Sequence, residues 1–256
     1  MTVDVERRDN VAIITLNRPE TKNAITNDMR RQLWEAFEGA ALDNDIRAVV
    51  FTGAGGEFCS GMDVGNLGQG GINGSLERMH TLHRIARAIY HLKKPVIAAV
   101  PGICVGVGWA YALCCDMVVV SERAKFAQIF RNIGLSPDGG SVWLLRQQVG
   151  AMRAKEIAYS GRMIRADEAV SLGLALEKVE NDRLLERALE LAKSFADGPT
   201  VALGLAKRQF DLAASNSFDQ FLDMEFTMQP IASRTDDHHE GLSAFREKRP
   251  PVFKGA

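Results

Sequence analysis

Apolar and polar positions alternate along this chain in two rhythms, short runs suited to strands and wider stripes suited to helices. Residues 3–7 and 11–16 are apolar-rich runs around Arg8-Asp9-Asn10, which predicts two strands joined by a hairpin-like turn. Asn17-Arg18-Pro19 closes the second strand. Thr26 precedes a stretch in which Met29, Leu33, Phe37 and Ala40 recur at spacings of four, four and three, a helix with a threonine N-cap. Residues 47–53 (RAVVFTG), 95–100 (PVIAAV) and 116–120 have unbroken apolar centres and read as strands buried on both faces. A Gly-rich loop from 53 to 65 and a helix over about 75–92 separate the first two; a Gly-rich turn over 102–108 and a helix over 109–115 separate the last two. After residue 140 the pattern predicts helices over 141–149, 152–160 and 166–172, and a short strand over 175–179. A helix over 182–195 follows, amphipathic through Leu185, Leu189 and Ala192. Gly198-Pro199 is a strong breaker, and three further helical stretches run to about residue 249.

Strand and helix alternating in the first half predict an α/β fold with parallel strands and right-handed crossovers. The division falls into a core over 1–197 and a helical region over 198–256. The 256 residues are 46% hydrophobic and 25% charged, which excludes disorder, collagen and coiled coil as the main architecture. Lys plus Arg number 31 against 32 Asp plus Glu, so there is no field to hold nucleic acid. No apolar run approaches the ~20 residues of a membrane span. The four cysteines, Cys59, Cys104, Cys114 and Cys115, sit mostly in apolar or Gly-rich surroundings, two of them adjacent. That usage suits reduced, buried thiols in a cytoplasmic protein.

Two Gly-rich turns stand between a buried strand and a helix: Phe58-Cys59-Ser60-Gly61-Met62-Asp63 and Pro101-Gly102-Ile103-Cys104-Val105-Gly106-Val107-Gly108. Glycines there let backbone approach a ligand closely, and in the second turn the free N–H groups of the coming helix form half of a plausible oxyanion hole. The same glycines also suit plain close packing of strand on helix. Gly102-x3-Gly106-x-Gly108 has the spacing of a short-chain dehydrogenase, with Tyr90-x3-Lys94 imitating its catalytic pair. In such enzymes the pair follows the glycines and the glycines close the first strand; neither order holds here. Glu77, His80 and His83, like the run Asp236-Asp237-His238-His239-Glu240, read as solvated helix faces. Asp138 lies in Ile133-Gly134-Leu135-Ser136-Pro137-Asp138-Gly139-Gly140. It is either a turn or N-cap aspartate, or a carboxylate in an apolar pocket whose raised pKa lets it shuttle a proton.

Taken in order, these motifs resemble the crotonase superfamily, the enoyl-CoA hydratases and isomerases. The resemblance runs from Leu16-Asn17-Arg18-Pro19 and Asn23-Ala24 through both Gly-rich turns, Asp116, Ala124-Lys125-Phe126 and the Asp138 loop to Phe245-x2-Lys248-Arg249-x3-Phe253. It implies a spiral of ββα units, a C-terminal helical trimerisation region, and a homotrimer or dimer of trimers. It implies an acyl-CoA thioester substrate, with no cofactor besides the CoA of that substrate. By motif position, the backbone N–H groups holding the thioester oxygen fall on Met62 and Val107, where many members have glycine at the second position. Ala24, Ser60, Gly61, Asp63, Gly106 and Gly108 fall on substrate-binding positions. Hydratases of the family carry two glutamates where this chain has Ala110 and Phe130. The remaining acid, Asp138, resembles the single acid of Δ3,Δ2-enoyl-CoA isomerases and of a phenylacetate-pathway ring-epoxide isomerase. Dehalogenating members also place an aspartate there, but with Trp and His at the positions of Phe130 and Arg131. The resemblance therefore implies an isomerase, with Trp109, Ala110 and Phe130 lining an apolar acyl pocket and Lys248 reaching a CoA phosphate in a neighbouring subunit. A hydratase, and a non-catalytic CoA-binding scaffold, are the alternatives.

Overall fold

A computed structural model describes residues 1–63, 65 and 70–256. Its larger sheet has six strands: β1 (Val3–Arg8), β2 (Val11–Leu16), β3 (Ala48–Gly53), β4 (Val96–Val100), β6 (Met117–Ser121) and β9 (Glu177–Val179), side by side in that order. β1 and β2 form the expected antiparallel hairpin; every later pair in this sheet is parallel. Side chains along a strand alternate between faces. Val49 and Phe51 of β3 and Ala98 and Val100 of β4 therefore face the main core, which they share with α1 (Asn27–Leu42), α2 (Gly71–Tyr90) and α3 (Val107–Leu113). Val50, Ile97, Ala99 and Val119 face the other way, against Leu184, Ala188, Ala192 and Ala196 of α6 (Leu184–Ala196). Both faces are covered, which is why these strands read as unbroken apolar runs.

A second, smaller sheet joins β5 (Ile103–Val105), β7 (Lys125–Ala127) and β8 (Ile164–Arg165). β5 is parallel to β7, and β7 is antiparallel to β8. Strands of two and three residues are too short to show a period, so the sequence pattern did not resolve them. Elsewhere the differences are small. α3 starts two residues before the expected helix, at Val107, because Gly106 turns the chain with φ 57° and ψ −130°. The two helices expected over 141–160 are one interrupted element, α4 (Ser141–Ser160), broken at Gly150, whose φ is 74°, and the helix expected over 166–172 is α5 (Ala166–Ser171). All four cysteines are free and buried.

The helices α7 (Thr200–Ala213), α8 (Phe218–Ala232) and α9 (Asp236–Glu247) follow the break at Gly198-Pro199. Several contacts tie this region to the core. Lys207 pairs with Asp116 at 2.9 Å. Gly204 packs so closely on Lys93 that a Cβ there would lie 2.5 Å from the Lys93 carbonyl oxygen. Buried Arg47 donates to the Thr200 hydroxyl (2.9 Å), the Phe253 carbonyl (3.0 Å) and the Gly198 carbonyl. The acidic and histidine run at the start of α9 is not wholly the solvated face expected of it. Asp237 is buried and accepts from the N–H groups of Lys254 (2.6 Å) and Gly255 (2.8 Å). Glu240 accepts from Arg249 and from the Val252 N–H (2.8 Å). Both carboxylates fasten the last residues of the chain. Among the described residues, no helix is long and apolar enough to cross a membrane.

Candidate active site

The first Gly-rich turn is held on two sides. Phe51 of β3 packs edge-on against Phe37 of α1 (5.4 Å between centroids) and Phe58 (5.0 Å), each such pair worth about 0.5–1.5 kcal/mol beyond its buried area. This anchors the chain as it enters the turn. Phe58 and Cys59 then donate to the Ile103 carbonyl (3.0 and 2.9 Å), and Val105 donates back to Cys59 (3.0 Å). On the other side Ser60 donates to Lys22 (2.9 Å), Ile25 to Gly61 (2.8 Å) and Asp63 to Ile25 (3.1 Å). The bridge between Ile25 and Met62 uses the Gly61 carbonyl and the Asp63 N–H, so the Met62 N–H lies outside it. Gly61 has φ +100°, a conformation that glycine adopts without steric cost.

In the second turn, Gly106 donates to Ala127 (3.1 Å), and the hydrogen bonds of α3 begin with Ala110 donating to Gly106 (3.1 Å). The N–H of Val107, first residue of the helix, precedes that ladder. The two turns lie against each other: a Cβ on Gly106 would rest 3.7 Å from the Gly61 Cα. At Gly108 the packing explanation of the glycines is the right one. A Cβ there would meet the Cys59 Cβ at 2.5 Å and its sulfur at 2.8 Å, so Gly108 lets α3 close on the first turn.

Asp138 sits on the loop between a 3-10 turn (Ile129–Ile133) and α4. It is not an N-cap. The Ser141 N–H and hydroxyl donate to its backbone carbonyl (3.1 and 2.8 Å), and α4 has no side-chain cap. Its Oδ1 is buried with no hydrogen-bond partner. Burial disfavours the carboxylate and pushes the pKa up to about 6, against a smaller opposing pull from the Arg78 guanidinium. The loop rests directly on α3: Gly139, with φ +62°, lies where a Cβ would come 2.7 Å from the Ala110 Cβ.

These pieces meet in a cleft of about 520 Å³, walled by Ser60, Gly61, Met62, Gly106, Val107, Phe130 and Asp138 among others. Six expected residues lie outside its wall. Trp109 is buried in the main core against Phe126, 5.4 Å between ring centroids, and is not a wall of the cleft. Two residues on from Val107, about 200° around α3, its side chain points into the core. Ala110 lies beneath the Asp138 loop, supporting it rather than lining the cleft. Gly108 packs on Cys59. Ala24 and Asp63 sit together beside the first turn, joined through Arg18, which donates to the Ala24 carbonyl (3.1 Å) and the Asp63 carboxylate (2.7 Å). Arg18 holds the Asp63 carboxyl below its ordinary range. Lys248 ends α9 with φ 55°, exposed and not part of this chain's own cleft wall.

Of the α2 residues on the cleft wall, the sequence singled out only His83, and as part of a solvated helix face. Ser75, Met79 and His83, four residues apart, face the cleft, with Arg78 beside them. Their spacing was the available signal, but a stripe mixing Ser, Met and His resembles any half-exposed helix face.

The matching family model, described as enoyl-CoA hydratase/isomerase, covers residues 6–256. A 1,2-epoxyphenylacetyl-CoA isomerase of Escherichia coli (strain K12) is 38% identical over 251 residues, 96% of this chain and 95% of that one. A probable enoyl-CoA hydratase of Rhodobacter capsulatus is 37% identical over 254 residues, 99% of this chain and 98% of that one. The crystal structure of an enoyl-CoA hydratase from Bacillus anthracis superposes with a TM-score of 0.95 at 30% identity, covering 100% of both chains. With its two abutting turns and near-complete coverage by these relatives, the chain belongs to the enoyl-CoA hydratase/isomerase family and has the crotonase fold.

Proposed function

We propose that this protein is an acyl-CoA isomerase in which Asp138 alone carries the proton. One observation carries this reading: Asp138 is the sole carboxylate on the described wall of the cleft, half-buried, with its Oδ1 fully buried and unpartnered, and poised near neutrality. The N–H groups of Met62 and Val107 receive the thioester oxygen. The Asp138 carboxylate takes a proton from C2 of a β,γ-unsaturated acyl group, and the resulting enolate charge settles on the oxygen held by the two N–H groups. The double bond moves to C2–C3 as the protonated Asp138 returns its proton to C4. Each preorganised donor contributes about 2.7–4 kcal/mol in such chemistry, and a positioned base about 10²–10⁴-fold. Hydration asks for more, because a water must be activated while carbon is protonated; Ala110 and Phe130 supply no group for that. The same single shuttle serves the ring-epoxide isomerisation named for the Escherichia coli relative.

A panel of straight-chain unsaturated acyl-CoAs and a ring-epoxide acyl-CoA, followed by mass and absorbance, tests the reading. Isomerisation leaves the mass unchanged and moves the double bond or opens the ring. Rapid appearance of a 3-hydroxyacyl product, heavier by one water, overturns it.

A further inference from the structure

Beside the cleft lies a second cavity, about 670 Å³, between α1 and α2. Four arginines (Arg30, Arg31, Arg78 and Arg84) and two glutamates (Glu35 and Glu77) stand in its wall. Arg31 and Glu35 neutralise each other at 2.9 Å. Arg30, Arg78 and Arg84 have no carboxylate within ion-pairing distance among the described residues, and the five others, Val64, Asn66, Leu67, Gly68 and Gln69, carry no charge. Arg30 is only 8% exposed. Its partners are neutral: the Thr81 hydroxyl (2.6 Å), the Arg78 carbonyl (3.4 Å) and the Asn27 side chain. Its Nε is buried with no partner at all. The Arg84 guanidinium is held over the Trp34 ring, 3.3 Å from its centroid, so its plane is fixed before anything binds.

Glu77 acts on Arg30, and Asp138 on Arg78, only from beyond ion-pairing distance. Burying a cation without a paired counter-charge is costly, and a planar guanidinium with a free N–H matches the paired oxygens of a carboxylate or phosphate. We infer that this cavity is a binding site for an oxyanion, a carboxylate or phosphate group, completed by the charge that the protein leaves out. Arg78 stands in the wall of both the cavity and the catalytic cleft. The anion therefore has two possible sources: the far end of an acyl group lying in the cleft, or a separate small anion.

Calorimetric titration and thermal unfolding with inorganic phosphate and with succinate test the site in the whole protein, whatever its reaction. The expected result is saturable binding, weakened at least tenfold by Arg30→Gln and by Arg84→Gln. Arg84 is exposed, so its variant carries the comparison should Arg30→Gln fail to fold. Two acyl-CoAs of matched length, one ending in methyl and one in carboxylate, identify the source. Tighter binding of the carboxylate, lost in Arg84→Gln, assigns the site to the acyl end. Equal binding, together with saturable phosphate or succinate binding, assigns it to a separate anion. No saturable binding of phosphate, succinate or the carboxylated acyl-CoA overturns the inference, as does binding by Arg84→Gln as strong as that of the wild type.

Discussion

Asp138 shows how one side chain acquires a working pH from its surroundings. With its Oδ1 buried and without a hydrogen-bond donor, the half-buried carboxyl is pushed up to about 6 from its ordinary value of 3.8. A base must be ionised to act, so kcat/KM for isomerisation should fall as pH drops through about 6, tenfold per unit well below it. A stability consequence follows with its own sign. Between the unfolded value of 3.8 and the folded value of about 6, the native state holds more proton than the unfolded chain. The contribution of Asp138 to stability is therefore full below 3.8 and is lost as pH rises through about 6. Asp138→Asn removes this dependence. Its stability relative to wild type should climb between pH 4 and pH 7 by about 1–3 kcal/mol, read from urea unfolding at several pH values. A flat difference would mean that the carboxylate is solvated in the free protein.

At the scale of elements, the site depends on how closely α3 and the first Gly-rich turn approach. Gly108→Ala puts a Cβ 2.5 Å from that of Cys59, and neither the turn nor the fully buried α3 can give way cheaply. We expect a loss of about 1–3 kcal/mol in stability together with a fall in kcat, measured by thermal unfolding and steady-state kinetics; an unperturbed variant would mean that the two turns are not rigidly coupled. This is also the scale at which the sequence was most readable. Buried parallel strands announce themselves as apolar runs such as Val49-Val50-Phe51, and α1 through the stripe Met29, Leu33, Phe37 and Ala40. The Asp138 loop was legible because one acid stands among glycines and apolar residues. Trp109 was misplaced because an aromatic at a helix start signals burial without saying on which side. The arginines of α1 and α2 went unread because a charge on a helix surface looks alike whether it meets water or a cavity.

At the scale of the whole molecule, the C-terminal helices leave apolar surface uncovered. Phe210, Phe218 and Phe226 are 80%, 74% and 82% exposed, and α8 buries none of its side chains. Faces of this kind mark association surfaces. We expect light scattering at micromolar concentration to give the mass of three or six subunits, and a monomer would defeat the assembly. Exposed Lys248 belongs to the same expectation: Lys248→Ala should raise KM for an acyl-CoA but not for its truncated pantetheine thioester, because an ammonium binds the phosphates that the shorter substrate lacks. An equal effect on both substrates would remove the phosphate role. The central claim, that one carboxylate performs the whole proton transfer, meets its most direct test in the turnover of Asp138→Asn at saturating substrate. The amide keeps the shape of the side chain and cannot act as the base. The expected result is a loss of about 10²–10⁴-fold in isomer formation with acyl-CoA binding retained; turnover within tenfold of wild type would contradict it.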